Sequence, residues 1–355
     1  MLSPAGSFES LVAATQAGCD AVYFGVEQLN MRVRSSKLFQ LQDLEKIARH
    51  CVQHGIRSYL TVNTIIYDHD IRLLERIIFA AKDAGIDAII AADLAAIQCA
   101  DQVGIPVHIS TQANVSNVES VMFFSRYADA VVLARELTLT QVHSIAREIE
   151  RKQIKGPSGE LIRLEIFGHG ALCMAISGKC YLSLHSHYAS ANRGACIQNC
   201  RRSYIVTDQE DGTELQIDNE YIMSAKDLCT IDFLDSITQA GVKILKIEGR
   251  GRSVDYVYTV TKCYREALDA IQNGEYSPEK IADWKTRLAT VYSRGFWEGY
   301  YLGKTMGEWS HHYGSQATQK KIFIGSGVKY FDQKGIGEFV AESHSLQKGN
   351  KVMIT

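Results

Sequence analysis

Short apolar runs alternate with amphipathic stretches through the first 152 residues. Ala21-Val22-Tyr23-Phe24-Gly25 is apolar, partly β-branched and closed by glycine, the pattern of a buried strand. Leu41, Leu44, Ile47, Ala48 and Cys51 then recur at helical spacing until Gly55 stops the run. The same strand-then-helix alternation places Tyr59–Val62 before a helix over 73–85, and Ala88–Asp93 before one over 94–104. Pro106–Ser110 and Ala130–Ala134 continue the series. With Leu2–Pro4 as the first strand, six β/α units are complete by residue 152, and Arg163–Phe167 supplies a seventh strand. Ile244–Glu248 is the eighth, followed by a helix from Ser253 to Asn273. Eight strands with helical crossovers predict an α/β protein built as a (β/α)8 TIM-like barrel, with a doubly wound sheet as the alternative.

Two segments break the alternation. A cysteine-rich insertion over 168–240 separates strands seven and eight, and Tyr204–Thr207 and Thr213–Ile217 around Asp211-Gly212 predict a β-hairpin within it. The expected organisation is a barrel over 1–275, a helical extension over 276–320, and the start of a small β module over 321–355. Ile322–Gly325, Gly335–Val340 and Lys351–Ile354 are that module's expected strands, and its abrupt end reads as truncation.

Composition adds exclusions. Hydrophobic residues at 46% and charged residues at 22% are ordinary for a globular protein and exclude a disordered or collagen-like chain. No apolar run is long enough for a transmembrane helix, and no basic, then apolar leader follows Met1, so a cytoplasmic protein without membrane attachment is expected. Net charge is -2, so a nucleic-acid partner needs a local basic patch. Nine cysteines without a secretory leader point to metal or redox chemistry more than to disulfides.

In a barrel the chemistry sits where the strands end at their C-terminal edge. The polar residues there are Tyr23, Asn63, Asp93, Gln112, Arg135, Glu136, His169 and Glu248, with Arg250 and Arg252 just beyond. Singly, each is equally well a cap or an ion-pair partner; together they predict a polar pocket. The arginines could instead be spent on Glu165 and Glu248. Cys173, Cys180, Cys196 and Cys200, spaced C-x6-C-x15-C-x3-C in a glycine-rich loop, predict a soft-metal centre. Zinc ribbons use two short knuckles and only one pair here is short, so the spacing favours an iron–sulfur cluster, with zinc as the alternative. His169, His185, His187 and Cys229 are possible replacement ligands. Cys19, Cys51, Cys99 and Cys263 lie on predicted helices and read as core thiols.

The same segment resembles the signature of peptidase family U-32. The residues that carry the resemblance are Glu165-x-Phe167-x-x-Gly170-Ala171-Leu172-Cys173, Ser177-Gly178-Lys179-Cys180-Tyr181-Leu182-Ser183, and Asn192-Arg193-Gly194-Ala195-Cys196-x-x-x-Cys200-Arg201. Ser224–Leu228, Lys246–Arg250, Ser3–Gly6 and Asp20–Gly25 extend it over residues 1 to 320. The family is named for collagenase-like proteolysis. Several members resemble oxygen-independent hydroxylation proteins with a [4Fe-4S] cluster, acting on wobble uridine of tRNA with prephenate as hydroxyl source, on a cytidine of ribosomal RNA, or on ubiquinone precursors.

The resemblance implies that Cys173, Cys180, Cys196 and Cys200 hold the cluster, and that Cys229 is a spare thiol. The segment after Lys321 resembles the C-terminal module of the tRNA-modifying members, which makes tRNA 5-hydroxylation the leading expectation. Its partners are tRNA, prephenate or a similar small carboxylate, and an electron donor. Glu248, Arg250, Arg135, Asn63 and Gln112 are then the expected catalytic residues, and Tyr23, Asp93, His169, Arg252 and Arg201 the substrate-binding ones. Tyr181, Tyr188 and Tyr204 could stack an unpaired base. A peptidase is the first alternative, although no H-E-x-x-H motif occurs and only Cys229 is left as a loop thiol. Hydroxylation in ubiquinone biosynthesis, or a scaffold that uses metal only to hold the insertion, are the others.

Overall fold

Every apolar run of the first half forms a strand in the structure, a computed structural model that describes residues 1–32, 39–205, 207–212, 221, 223–303, 307–350 and 352–354. Strands β1 (Leu2–Pro4), β2 (Ala21–Phe24), β3 (Arg57–Val62), β4 (Ala88–Ala91), β5 (Val107–Ile109), β6 (Ala130–Val132) and β7 (Arg163–Ala171) lie side by side in chain order, all parallel. After β8 (Asp227–Cys229), strand β9 (Ile244–Ile247) pairs with β7 on one side and β1 on the other, closing an eight-stranded parallel barrel. The doubly wound alternative fails at this pairing of Leu2 with Lys246, because an open sheet leaves its edges unpaired.

Helices α1 (Phe8–Gln16), α2 (Leu44–Gln53), α3 (Ile71–Asp83), α4 (Leu94–Val103), α5 (Val118–Phe124) and α6 (Leu139–Lys152) wrap the outside. Helix α3 illustrates the logic. Leu74, Ile77, Ile78 and Ala81 share one face and are buried, which contributes about 1.5–3 kcal/mol for each large aliphatic side chain. Strand residues alternate between this outer layer, where Val22, Phe24, Leu60 and Ile89 sit, and the barrel interior. The interior apolar group is small, comprising Leu2, Ala21, Tyr23, Tyr59, Ala88 and Ile90. The interior also holds His108, Glu165 and Lys246 on β5, β7 and β9, all buried.

Beyond Phe167, β7 continues to Ala171 and there pairs antiparallel with β8, which pairs in turn with β10 (Phe296–Trp297). Between Ala171 and β8 the chain has little regular structure beyond α7 (Leu182–His187) and isolated helical turns. Part of the expected hairpin at 204–217, including its second strand, lies outside the described residues. Helix α8 (Leu234–Gln239) precedes β9, α9 (Val254–Gln272) follows it, and α10 (Pro278–Leu288) is the only regular helix of the extension among the described residues. At the C-terminus β11 (Gly325–Phe331) and β12 (Ile336–Ala341) form an antiparallel pair. Ile322–Ile324 were expected in a strand but precede β11, although the Ile324 carbonyl accepts from Glu342 N at 2.7 Å and Ser343 N at 3.1 Å; Val352–Ile354 are likewise not in a strand.

Candidate active site at the barrel mouth

One cavity occupies the C-terminal end of the barrel. Its floor and walls come from strand ends: Tyr23 on β2, Asn63 after β3, Ser110 and Gln112 after β5, Arg135 after β6, Phe167 on β7, Lys246 on β9, and Glu248 and Arg250 beyond it. The irregular segment after β7 forms the roof, with Cys173, Cys180, Cys196 and Cys200 all opening on the same space. The predicted pocket and the cysteine loop are therefore a single site.

Local contacts fix the roof. Arg201 donates to the carbonyls of Ala225 and Leu172 and to Ser224 Oγ, tying the turn after Cys200 to both ends of the segment. Arg193 bridges to Asp70 and the Ile65 carbonyl on the barrel, and Ile65 N donates to the Asn192 carbonyl. Gly178 and Gly194 both have positive φ, and a Cβ at either would sit 2.2 Å from Gln112 Oε1 or 2.3 Å from the Asn30 carbonyl oxygen. Only glycine permits that approach of roof to barrel. Around Cys196, Gln198 N donates to Sγ at 3.4 Å and Ser183 Oγ at 3.7 Å.

The four thiols suit a thiolate-bound cluster. Burial pushes the Cys200 thiol up to about 11; Arg201 opposes this, and the other three sulfurs are near enough to add to it. A centre that ionises all four must supply positive charge, which a bound metal does. Among the described residues no three His, Cys, Asp or Glu side chains are gathered for a single metal ion.

The cavity is markedly cationic. Arg32, Arg135, Arg201, Lys246 and Arg250 line it, against Glu248 in the wall and Glu165 beneath Lys246. Burial alone would raise the Glu248 carboxyl, but Arg32, Arg252 and Arg135 hold it down at about 2, and Arg32 forms its ion pair. Among the described residues Arg250 forms no ion pair of that kind: it donates to Thr61 Oγ1 at 2.6 Å and Asn30 Oδ1 at 3.3 Å, and burial lowers it to about 10. Arg135 lies 4.0 Å from the Phe167 ring centre and donates once, to the Ala171 carbonyl at 3.0 Å, leaving its buried Nε without a partner. Gln112 Oε1 is likewise buried and unbonded. Buried polar atoms are rarely left so, and these two are suited to an anion bearing both acceptor and donor groups.

Of the expected site residues, Glu248, Arg250, Arg135, Asn63, Gln112, Tyr23 and Arg201 come together here with the four cysteines. Asp93 does not. It caps α4, accepting from Ala95 N at 2.9 Å, and its other oxygen accepts from Ile66 N at 3.0 Å. His169 is 1% exposed among Tyr256, Tyr264 and Phe296, with burial and then Arg252 lowering it to about 3. It is a neutral core group rather than a substrate contact. Arg252 lies over the Tyr292 ring at 3.7 Å and pairs with buried Asp227, away from the lining. Glu136 is exposed. Lys246, Arg32 and Ser110 line the cavity without having been singled out; for Lys246 the available signal was a charge at an inward position of an apolar strand. Cys229 is sealed against the Tyr264 hydroxyl at 3.8 Å, and burial raises it to about 11.

Comparison with known proteins adds a lineage. Residues 6–311 match the family model described as peptidase family U32. A protein of Porphyromonas gingivalis named Collagenase is 56% identical over all of this chain and 86% of its own length. The tRNA hydroxylation protein P1 of Bacillus subtilis is 34% identical over 76% of this chain and 63% of its own. The tRNA hydroxylation protein P of Helicobacter pylori is 32% identical over 85% and 71%.

Proposed function

The chain belongs to peptidase family U32, and from that premise we propose that it is an RNA hydroxylase of the cytoplasm that acts on a uridine of tRNA. In this reading Cys173, Cys180, Cys196 and Cys200 hold a [4Fe-4S] cluster, and a small carboxylate such as prephenate is the hydroxyl source. The observation that carries it is the convergence of four thiols, a surplus of buried cations and two unsatisfied polar atoms on one cavity. The names of the Bacillus and Helicobacter relatives support the choice of tRNA.

When bound, the cluster supplies electron transfer, with the electrons delivered by an external donor. The chain's own residues do the rest. Arg250 and Arg135 take the acid's carboxylate through charge-assisted bonds; both lie in the field of Glu248, but that carboxylate forms its ion pair with Arg32. Gln112 and Asn63 orient its polar groups, while Tyr23 and Phe167 wall the site and exclude water. Glu248, kept ionised by Arg32, is an acceptor facing that space. At the rim Tyr181 and Tyr188 are 77% and 94% exposed, available to stack a splayed base, whereas Tyr204 donates to the Asn199 carbonyl and is part of the roof.

Proteolysis is the second reading, favoured by the name of the Porphyromonas relative. The chemistry at hand does not favour it. Among the described residues no histidine lines the cavity to serve a serine or cysteine nucleophile, Cys229 is buried and outside the lining, and His311 and His312 are exposed.

Anaerobic purification with iron, sulfide and zinc assays, followed by mass spectrometry of tRNA nucleosides from a deletion strain, tests the proposal. Iron with matching sulfide and loss of a 5-hydroxylated uridine are expected. Zinc alone, with an unchanged nucleoside profile, overturns it.

A further inference from the structure

The barrel interior carries three ionisable side chains that the proposed function leaves unused. Lys246 Nζ donates to Glu165 Oε1 at 2.7 Å, and the second oxygen of Glu165 lies 3.5 Å from His108 Nδ1. All three are buried. Burying such a set is costly, and well-packed apolar residues in its place are often neutral or better for stability. The two ends of the chain also face different spaces. Lys246 lines the mouth cavity between the rings of Tyr23 and Phe167, at 4.5 and 5.7 Å from their centres. His108 lines a second cavity at the opposite end of the barrel.

A lysine becomes a nucleophile when its neutral amine is favoured by desolvation and by neighbouring cations. Both conditions hold: burial comes first in lowering Lys246, and Arg250 and Arg135 add to it, with Glu165 opposing. Arg250 and Arg135 also line this cavity and, among the described residues, form no ion pair within 4.0 Å. We propose that Lys246 forms an imine with the carbonyl of a small 2-oxo carboxylate whose carboxylate is held by Arg135 and Arg250. This rests on reading the cavity as a small-carboxylate site.

The step balances without an oxidant or reductant. The ammonium gives one proton to Glu165, whose second oxygen faces His108 Nδ1 at 3.5 Å on the side of the second cavity. The free amine adds to the carbonyl carbon to form a carbinolamine. Glu165 then returns its proton to the carbinolamine hydroxyl, which leaves as water, so that a protonated C=N bond to Nζ remains and Glu165 is again a carboxylate. Lys246 is the catalytic residue, and Glu165 and His108 are positioning residues that act through it.

Reductive trapping on the full-length, anaerobically purified protein decides the matter. The probes are phenylpyruvate and prephenate, with phenyllactate as the acid lacking a carbonyl. All three are expected to raise the thermal midpoint. Only the first two, with cyanoborohydride, should leave one reduced adduct per chain, mapped by peptide mass spectrometry to Lys246. Lys246→Arg should abolish the adduct while the thermal shift remains, and His108→Asn should slow trapping by roughly 10²-fold with the shift unchanged. Peptide mapping of the unmutated protein decides the point even if a variant fails to fold. A thermal shift without an adduct on Lys246 overturns the imine but leaves the carboxylate site. No shift with any of the three acids overturns the carboxylate site, and the imine with it.

Discussion

The barrel wall from β1 to β6 and the roof between Ala171 and β8 are held by different forces. The wall buries a continuous layer of aliphatic side chains under helices, and its backbone groups are paired along a closed ladder. The roof buries only Leu172, Ala189, Ala191 and Ala225 among its described apolar residues. Arginine clips to carbonyls and two close glycine approaches do the holding instead. Apolar burial is indifferent to ligands, whereas a roof built from polar clips and thiols is suited to being completed by what the thiols bind. The architecture thus separates a frame held by apolar burial from a roof held by polar contacts.

The largest effect that would sharpen this contrast comes from the roof. Cys196→Ser should abolish iron retention and RNA hydroxylation and speed protease cleavage between 172 and 226, with barrel stability changing by less than about 0.5 kcal/mol. A collapse of the main thermal transition in this variant would break the distinction. In the wall, Ile77→Ala should cost about 2–5 kcal/mol in denaturant titration, while leaving the metal content per folded chain unchanged.

Acid titration probes the frame through His169. Its folded pKa is depressed, so its contribution is complete above the unfolded value near 6.5 and is lost as pH falls toward about 3. Relative to wild type, His169→Phe should flatten stability between those limits, by about 2 kcal/mol at pH 5. An unchanged acid limb would show that this histidine is not the buried neutral group described. The smallest effect is expected at the clip: Arg193→Ala should cost about 1 kcal/mol, seen as faster roof proteolysis before any change in the main transition.

The wall was legible from sequence and much of the roof was not, for physical reasons. Apolar alternation and glycine stops report burial, and burial is what makes a strand such as Ala21–Phe24 or a helix such as Ile71–Asp83. The rule that chemistry sits at strand ends located Tyr23, Asn63, Gln112 and Arg135. It misplaced Asp93, whose carboxylate is used by backbone amides, and His169, because β7 runs four residues past the expected end at Phe167 and carries that ring into a pocket between α9 and β10. Lys246 belongs to a motif in the sequence, and its inward position follows only from the strand register. Only tertiary contacts reveal that its charge meets Glu165 and His108.

Barrel closure also has a consequence in time. The final seam joins Leu2 to Lys246, nearly the full span of the barrel sequence, whereas the four cysteines fall between 173 and 200. Contacts of short sequence separation form early and those spanning the chain form late. The thiols can therefore be gathered by a local loop while the first and eighth strands are still apart. The lysine reaches the floor of the cavity only when the ring shuts. Assembly of the protein thus ends with the same event that brings its amine beneath the four thiols of the roof.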